Sequence, residues 1–263
     1  MDTWRGKWAL VTGASAGIGR ALAIELAAGG AHLVLTARRC DRLEDLSAHL
    51  RSRHDIRIEL CPADLARPSA PDEIFAFTQG KGIDLDLLIN NAGFGDYGDF
   101  FRSDLARYLE MVQVNIAAVV HLTRLYLPRM VERRRGDILI VASTAAFQAV
   151  PFITTYAATK AFDLLFGEGL AEEVRPYGVR VCVLCPGSTA TEFHDVAGQP
   201  ARMRRRQETP EKVARTGLRA LAAGKSVVIS GTANRIGVHA QRLVPRRAVT
   251  RVAASLFRPH EES

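Results

Sequence analysis

Short apolar runs alternate along the chain with longer stretches in which apolar residues recur every three or four positions. The run at 8–11 reads as a strand and ends in Thr12-Gly13. Ile18, Leu22 and Leu26 then form the stripe of a helix over 18–28. Further strands are predicted at 32–36, 56–60, 86–90, 137–143, 179–185 and 227–229, with helices at 40–53, 71–79, 104–130, 155–175 and 210–223 between them. Pro71 suits the first turn of its helix, and Pro128 predicts a bend late in the long one. Continuously apolar strands are buried on both faces, and strands that alternate with helices pair in parallel. The pattern therefore predicts an α/β fold, a Rossmann-type doubly wound parallel sheet of seven strands with helices on both faces. No linker or repeat divides it, so a single domain over 1–263 is expected, with a lid at about 188–208 and a basic amphipathic segment at about 233–258.

Composition narrows the classes. Of 263 residues, 48% are hydrophobic and 24% charged, which suits a globular chain and excludes wholesale disorder. No apolar run approaches the ~20 residues of a spanning helix. The first apolar run leads into a Gly-rich motif rather than a cleavage site, so no signal peptide and a cytoplasmic location are expected. Cys182 and Cys185 form a C-x-x-C, which raises redox or metal chemistry. They fall in a strand, however, where residues three apart face opposite sides, and two buried small hydrophobes are the plainer reading.

The net charge of +7 is unevenly placed. Residues 202–258 carry fourteen basic and two acidic side chains, and the remainder is net negative. A basic segment on an acidic body suits an anionic partner: nucleic acid, a membrane surface or a phosphorylated ligand. No nucleic-acid-binding pattern accompanies it, so nucleic acid is not expected. From Val244 onward apolar residues recur at 244, 248, 249, 252, 253, 256 and 257, with Arg247, Arg251 and Arg258 off that stripe. Such a helix packs on the body, forms a subunit interface or lies on anionic lipid.

Candidate chemistry begins at Thr12-Gly13-Ala14-Ser15-Ala16-Gly17-Ile18-Gly19, between the first strand and the first helix. There glycines allow a tight turn, close approach of backbone to a pyrophosphate and helix-on-strand packing, with the helix N-terminus facing the phosphates. The second strand ends in Thr36-Ala37-Arg38-Arg39, with Ala37 where a ribose-binding carboxylate would stand in an NAD site. A carboxylate would repel a 2′-phosphate, whereas a guanidinium grips it. Tyr156-Ala157-Ala158-Thr159-Lys160 places a phenol and an ammonium on one helix face, thirteen residues after Ser143. A nearby cation lowers the pKa of a phenol, which makes it a better acid–base at neutral pH. Ser143 is placed to supply a second hydrogen bond to a substrate oxygen.

These motifs resemble the short-chain dehydrogenase/reductase family, in its shorter, NADP-preferring branch, and the likeness extends from residue 8 to about 230. The resemblance implies a Tyr156 acid/base, a Lys160 that tunes it and binds the nicotinamide ribose, a Ser143 that orients the carbonyl, and an Asn115 that completes a proton relay. Taken alone, Asn115 reads equally as a buried amide at a helix bend. The resemblance also implies an NADP(H) site made by Gly13, Ser15, Gly17, Ile18, Gly19, Arg38, Asp64, Asn91, Ala92, Gly93, Pro186, Gly187 and Thr189, with Tyr156 and Lys160. Arg39 assists or is simply solvated, and Asp64 has the alternative of capping a helix. No metal ligands are needed, because the nicotinamide carries the hydride. Phe94, Tyr97, Phe147, Gln148, Val150, Phe152, Phe193 and His194 are candidates for the substrate wall, which favours an uncharged hydrophobic carbonyl or alcohol. His194 touches substrate or sits in a surface loop. The family implies a homodimer or homotetramer through 104–130 and 155–175. The expected function is an NADPH-dependent oxidoreductase of a hydrophobic ketone or aldehyde, run in either direction. A dinucleotide sensor or scaffold without turnover and a peripheral-membrane lipid ketoreductase stand beside it.

Overall fold

The computed structural model describes residues 2–201 and 207–259. Strands β1 (Trp8–Thr12), β2 (His32–Thr36), β3 (Ile58–Leu60), β4 (Leu85–Asn90), β5 (Gly136–Val141), β6 (Val179–Cys185) and β7 (Val227–Ile229) form one sheet in the order β3-β2-β1-β4-β5-β6-β7, with every pair parallel. Alternate residues face opposite layers. Val11, Leu33 and Leu184 pack under α1 (Gly17–Ala28), α2 (Cys40–Arg51) and α8 (Pro210–Ala222). Leu10, Leu88 and Ile138 pack under α3 (Ala70–Gly80), α5 (Ala118–Glu132) and α6 (Thr154–Val174). Cys182 and Cys185 fall in different clusters on opposite faces, and burial pushes each thiol up to about 12.

The structure departs from the sequence pattern where the site is built. The single helix expected over 104–130 is α4 (Leu105–Val112), a π-helical segment (Gln113–Ala117) and α5. The irregularity centres on Asn115, not Pro128, which α5 accommodates within its span. A π-turn carries one extra residue per turn and so re-aims side chains locally. It lets Asn115 point into the body, where it is 0% exposed. Strand β5 stops two residues before Ser143, which caps the 3₁₀ turn Thr144–Phe147 by accepting a hydrogen bond from the Ala145 N–H at 3.1 Å.

In the predicted lid, α7 (Phe193–Val196) is a single turn, and a parallel bridge joins Thr189 to Glu208. Residues 202–206 of that lid lie outside the described residues. The C-terminal segment is two helices, α9 (Thr232–Ala240) and α10 (Arg246–Phe257). Ala253 of α10 forms a cluster with Val150, Ile153 and Ala157, against which both Phe257 and Tyr156 pack, so one face of this helix covers the body beside the predicted catalytic tyrosine.

Candidate active site

The strand order reverses between β1 and β4, and ligands of doubly wound sheets bind at the carboxyl ends of strands beside such a reversal. A cleft of about 450 Å³ opens there. Every residue predicted for catalysis or for the cofactor lines it except Gly19 and Asn115, which lie behind its wall.

At one end, Gly13 has φ +66°, and a Cβ on it would stand 2.9 Å from Asn91 Nδ2. Gly19 lies against the Gly13 carbonyl and the Asn91 amide, with no room for a side chain. Asn91 Nδ2 donates to the Thr12 carbonyl at 2.8 Å, and Thr12 Oγ1 accepts from the Asn91 and Ala92 N–H groups at 2.9 Å each. These bonds tie the end of β1 to the end of β4. Helix α1 begins without a side-chain cap, so its first N–H groups and positive dipole end are left for an anion. The cradle fits a dinucleotide pyrophosphate.

At the ribose end, Ala37, Arg38 and Arg39 line the cleft. It is Arg39 that meets Ser15, donating from Nη2 to Oγ at 3.1 Å. Arg38 is largely exposed and lies 3.6 Å from Glu110. Glu192, just before α7, bridges Arg39 at 2.8 Å and Arg42 at 2.5 Å. Those two hydrogen bonds hold its carboxyl below the usual range. Asp64 lines the cleft and accepts from the Ala66 N–H at 3.1 Å, closing a turn; the next helix, α3, begins only at Ala70, so Asp64 does not cap a helix.

At the other end, Tyr156 and Lys160 stand on one face of α6. Lys160 is buried, and its Nζ donates to the Val141 carbonyl at 2.8 Å and to Asp163 Oδ2 at 2.9 Å. Burial pushes the Tyr156 hydroxyl up, outweighing the Lys160 cation and the Ser143 hydrogen bond that pull it down. The expectation that Lys160 brings it down is thus met in sign but exceeded by burial. Tyr156 therefore holds its proton at neutral pH, as an acid that protonates a carbonyl oxygen must. The amide of Asn115 donates to the Phe94 carbonyl and to Thr159 Oγ1, both at 3.0 Å, and accepts from the Phe94 N–H at 3.1 Å. With both amide hydrogens spent, this side chain ties the loop after β4 to α6 rather than facing the cleft.

Of the predicted substrate wall, Phe94, Phe193 and His194 line the cleft, and Phe193 lies over Tyr156 with ring centroids 5.0 Å apart. Tyr97 and Val150 pack just behind, against Ile153 and Ala157. Phe147, Gln148 and Phe152 do not reach it. His194 is no surface histidine: it is 7% exposed, between Ser188 Oγ at 3.2 Å and Gln199 Oε1 at 2.7 Å. Sequence reasoning missed Phe257, which reaches the cleft from α10 by a long-range contact no local pattern reveals. It also missed Asp163. Its signal was an acid inside an otherwise apolar stretch, three residues after Lys160 on the same helix face.

A match to the family described as short chain dehydrogenase spans residues 7–201. Very-long-chain 3-oxoacyl-CoA reductase-B of Danio rerio is 35% identical over 195 residues, 73% of this chain and 62% of that protein. The very-long-chain 3-oxoacyl-CoA reductase of Homo sapiens is 36% identical over 192 residues, 72% of this chain and 61% of that one. The chain thus matches about three fifths of the length of these relatives. Among solved structures, a short-chain dehydrogenase from Sphingobium yanoikuyae in complex with NADPH superposes with a TM-score of 0.83 at 28% identity, over 98% of each chain. A 7beta-hydroxysteroid dehydrogenase does so with 0.86 at 26% identity, over 95% of this chain and 98% of that one.

Proposed function

The chain belongs to the short-chain dehydrogenase family, and from that premise we propose that it is an NADPH-dependent reductase of a hydrophobic ketone. The observation that carries the reading is the joining, in one cleft, of an arginine-lined ribose end with the Tyr156–Lys160 pair. Gly13, Gly17, Ile18 and the uncapped start of α1 would hold the diphosphate, with Gly19 leaving them room. Ser15, Arg38 and Arg39 would hold the 2′-phosphate, and Asp64 the adenine side. Asn91, Ala92, Gly93, Pro186, Gly187 and Thr189 would flank the nicotinamide half. NADPH, when bound, supplies the hydride.

The chain's own side chains supply the rest. The Tyr156 hydroxyl donates its proton to the carbonyl oxygen, and the Ser143 hydroxyl donates a second hydrogen bond to it. Lys160 has three N–H donors, two of them spent on Val141 and Asp163, which leaves one for the cofactor ribose. For alcohol oxidation the same tyrosine acts as base. The apolar end of the cleft, with Phe94, Ile153, Phe193 and Phe257, supports a lipophilic substrate. The names of the relatives make a long-chain 3-oxoacyl thioester the first class to test. A homodimer or homotetramer, supported by exposed Leu105, Leu109 and Leu165 on α4 and α6, completes the reading, with the segment from Ser188 as a lid.

The arginines give the cofactor test. Arg38→Ala and Arg39→Ala should each raise the Kd for NADPH by roughly 10- to 100-fold, since a charge-assisted hydrogen bond is worth ~1.5–3 kcal/mol, and leave the Kd for NADH unchanged. Fluorescence titration measures both. Equal losses for the two cofactors would place the arginines outside the 2′-phosphate site.

A second reading rests on α10. No helix among the described residues is long and apolar enough to cross a membrane. Yet Leu243, Val252 and Leu256 are exposed, and Arg242, Arg246, Arg247 and Arg251 meet no carboxylate among the described residues. Helical spacing puts Val249, Ala253 and Phe257 on the packed stripe, with Val252 and Leu256 on one flank and Arg247 and Arg251 on the other. We infer peripheral contact with an anionic membrane at this surface, on the cytoplasmic side. The protein should sediment with phosphatidylserine-containing vesicles at low salt and not with neutral ones. The double variant Val252→Asp, Leu256→Asp should stay in the supernatant. Failure of the wild-type protein to sediment would rule this reading out.

A further inference from the structure

Asp163 has no place in the chemistry above, yet it is the acid in closest contact with it. It stands one turn beyond Lys160 on α6 and is 0% exposed. One oxygen accepts from Lys160 Nζ at 2.9 Å. The other, Oδ1, is buried with no hydrogen-bond partner among the described residues. A carboxylate half unsatisfied in an apolar wall is costly, and an apolar side chain there would pack without that cost. What it accomplishes is local. Lys160 is itself buried, its only other acceptor among the described residues is the neutral Val141 carbonyl, and an ammonium in that setting favours losing its proton.

We propose that Asp163 is a positioning residue for the reductase reading above: its carboxylate holds Lys160 as a charged ammonium at the cleft, and so sets the pH range in which Tyr156 and Lys160 together keep their protons. Burial pulls Lys160 down, yet Asp163 and then Tyr156 push it up and prevail. Burial likewise pushes Asp163 up, with Lys160 drawing it back. The other titratable group facing the pair is Cys185 on β6, a neutral thiol pushed up to about 12 by burial, with Glu168 toward Cys185. His194 lines the same cleft, between Ser188 and Gln199. Tyr156 and Lys160 are coupled, so the first proton lost belongs to the pair and not to either residue. Removing the adjacent negative charge makes that loss easier whichever residue bears it.

The test is the pH profile of kcat for carbonyl reduction at saturating NADPH, in the wild-type, Asp163→Asn and Asp163→Glu proteins. The Asn protein should lose activity at lower pH than wild type, its alkaline limb displaced, with each pH unit of displacement cutting the rate about tenfold above the new midpoint. The Glu protein should keep the wild-type limb. A limb that stays in place in the Asn protein while the rate drops uniformly would overturn the proposal and leave Asp163 a packing residue. Should the Asn protein not fold, Asp163→Ser carries the same expectation. Failure of both neutral variants to fold while the Glu protein folds would likewise make the role structural. A wild-type protein that turns over no carbonyl refutes the reductase reading itself, a different result from wild-type turnover with an unmoved limb.

Discussion

Replacing Tyr156 by Phe should lower kcat for carbonyl reduction by about 10²–10⁴, the span that a positioned general acid contributes. The Kd for NADPH should change by no more than a few-fold. The substitution removes one oxygen and keeps the ring that packs on Phe193 and joins the cluster of Val150, Ile153 and Ala157. Stability should therefore hardly move, and the loss should appear in kcat rather than in binding. Stopped-flow turnover with fluorescence titration of NADPH separates the two. A Phe protein with full activity would remove Tyr156 from the chemistry.

The second large effect lies at the opposite end of the cleft. Gly19→Ala places a methyl group against the Gly13 carbonyl and the Asn91 side-chain amide, neither of which can swing away. Gly13 is fixed in a left-handed turn, and Asn91 is bonded to the Thr12 carbonyl at 2.8 Å. Something must shift, and overpacking of this kind costs about 1–3 kcal/mol. The shift acts on the turn that presents N–H groups to the phosphates, so binding should suffer with stability. We expect NADPH affinity to fall by a hundredfold or more, equivalent to about 3 kcal/mol, and Tm to drop by roughly 2–4 °C per kcal/mol lost. Calorimetry of binding and of unfolding reads both. Undiminished NADPH affinity would contradict the phosphate-cradle assignment.

The sheet and the order of its elements were legible because continuously apolar runs such as Val181–Cys185 alternate with helical stripes such as Ile18, Leu22 and Leu26. The Gly-rich turn and the Tyr–Lys spacing were legible because each lies within one strand–turn–helix or one helix, where sequence distance translates directly into space. The break at Asn115 was not. The apolar period runs on through 113–117, and what favours the π-turn is a tertiary demand, the bonds from Asn115 to Phe94 and Thr159. Which arginine meets Ser15 was hidden for a similar reason. Arg38 and Arg39 are adjacent in sequence, and the partners that separate them, Glu110 and Glu192, come from distant parts of the chain. His194 and Phe257 owe their places to α7 and α10, whose docking no local pattern records.

The central claim is that one cleft couples NADPH to proton transfer from Tyr156. It is tested most directly by following NADPH consumption by the purified protein over a panel of hydrophobic ketones that includes a long-chain 3-oxoacyl thioester, with NADH and the Tyr156→Phe protein in parallel. The account predicts turnover with NADPH on at least one ketone, much weaker turnover with NADH, and none above background in the mutant. Tight NADPH binding with no consumption on any member of the panel would contradict it and favour a dinucleotide sensor.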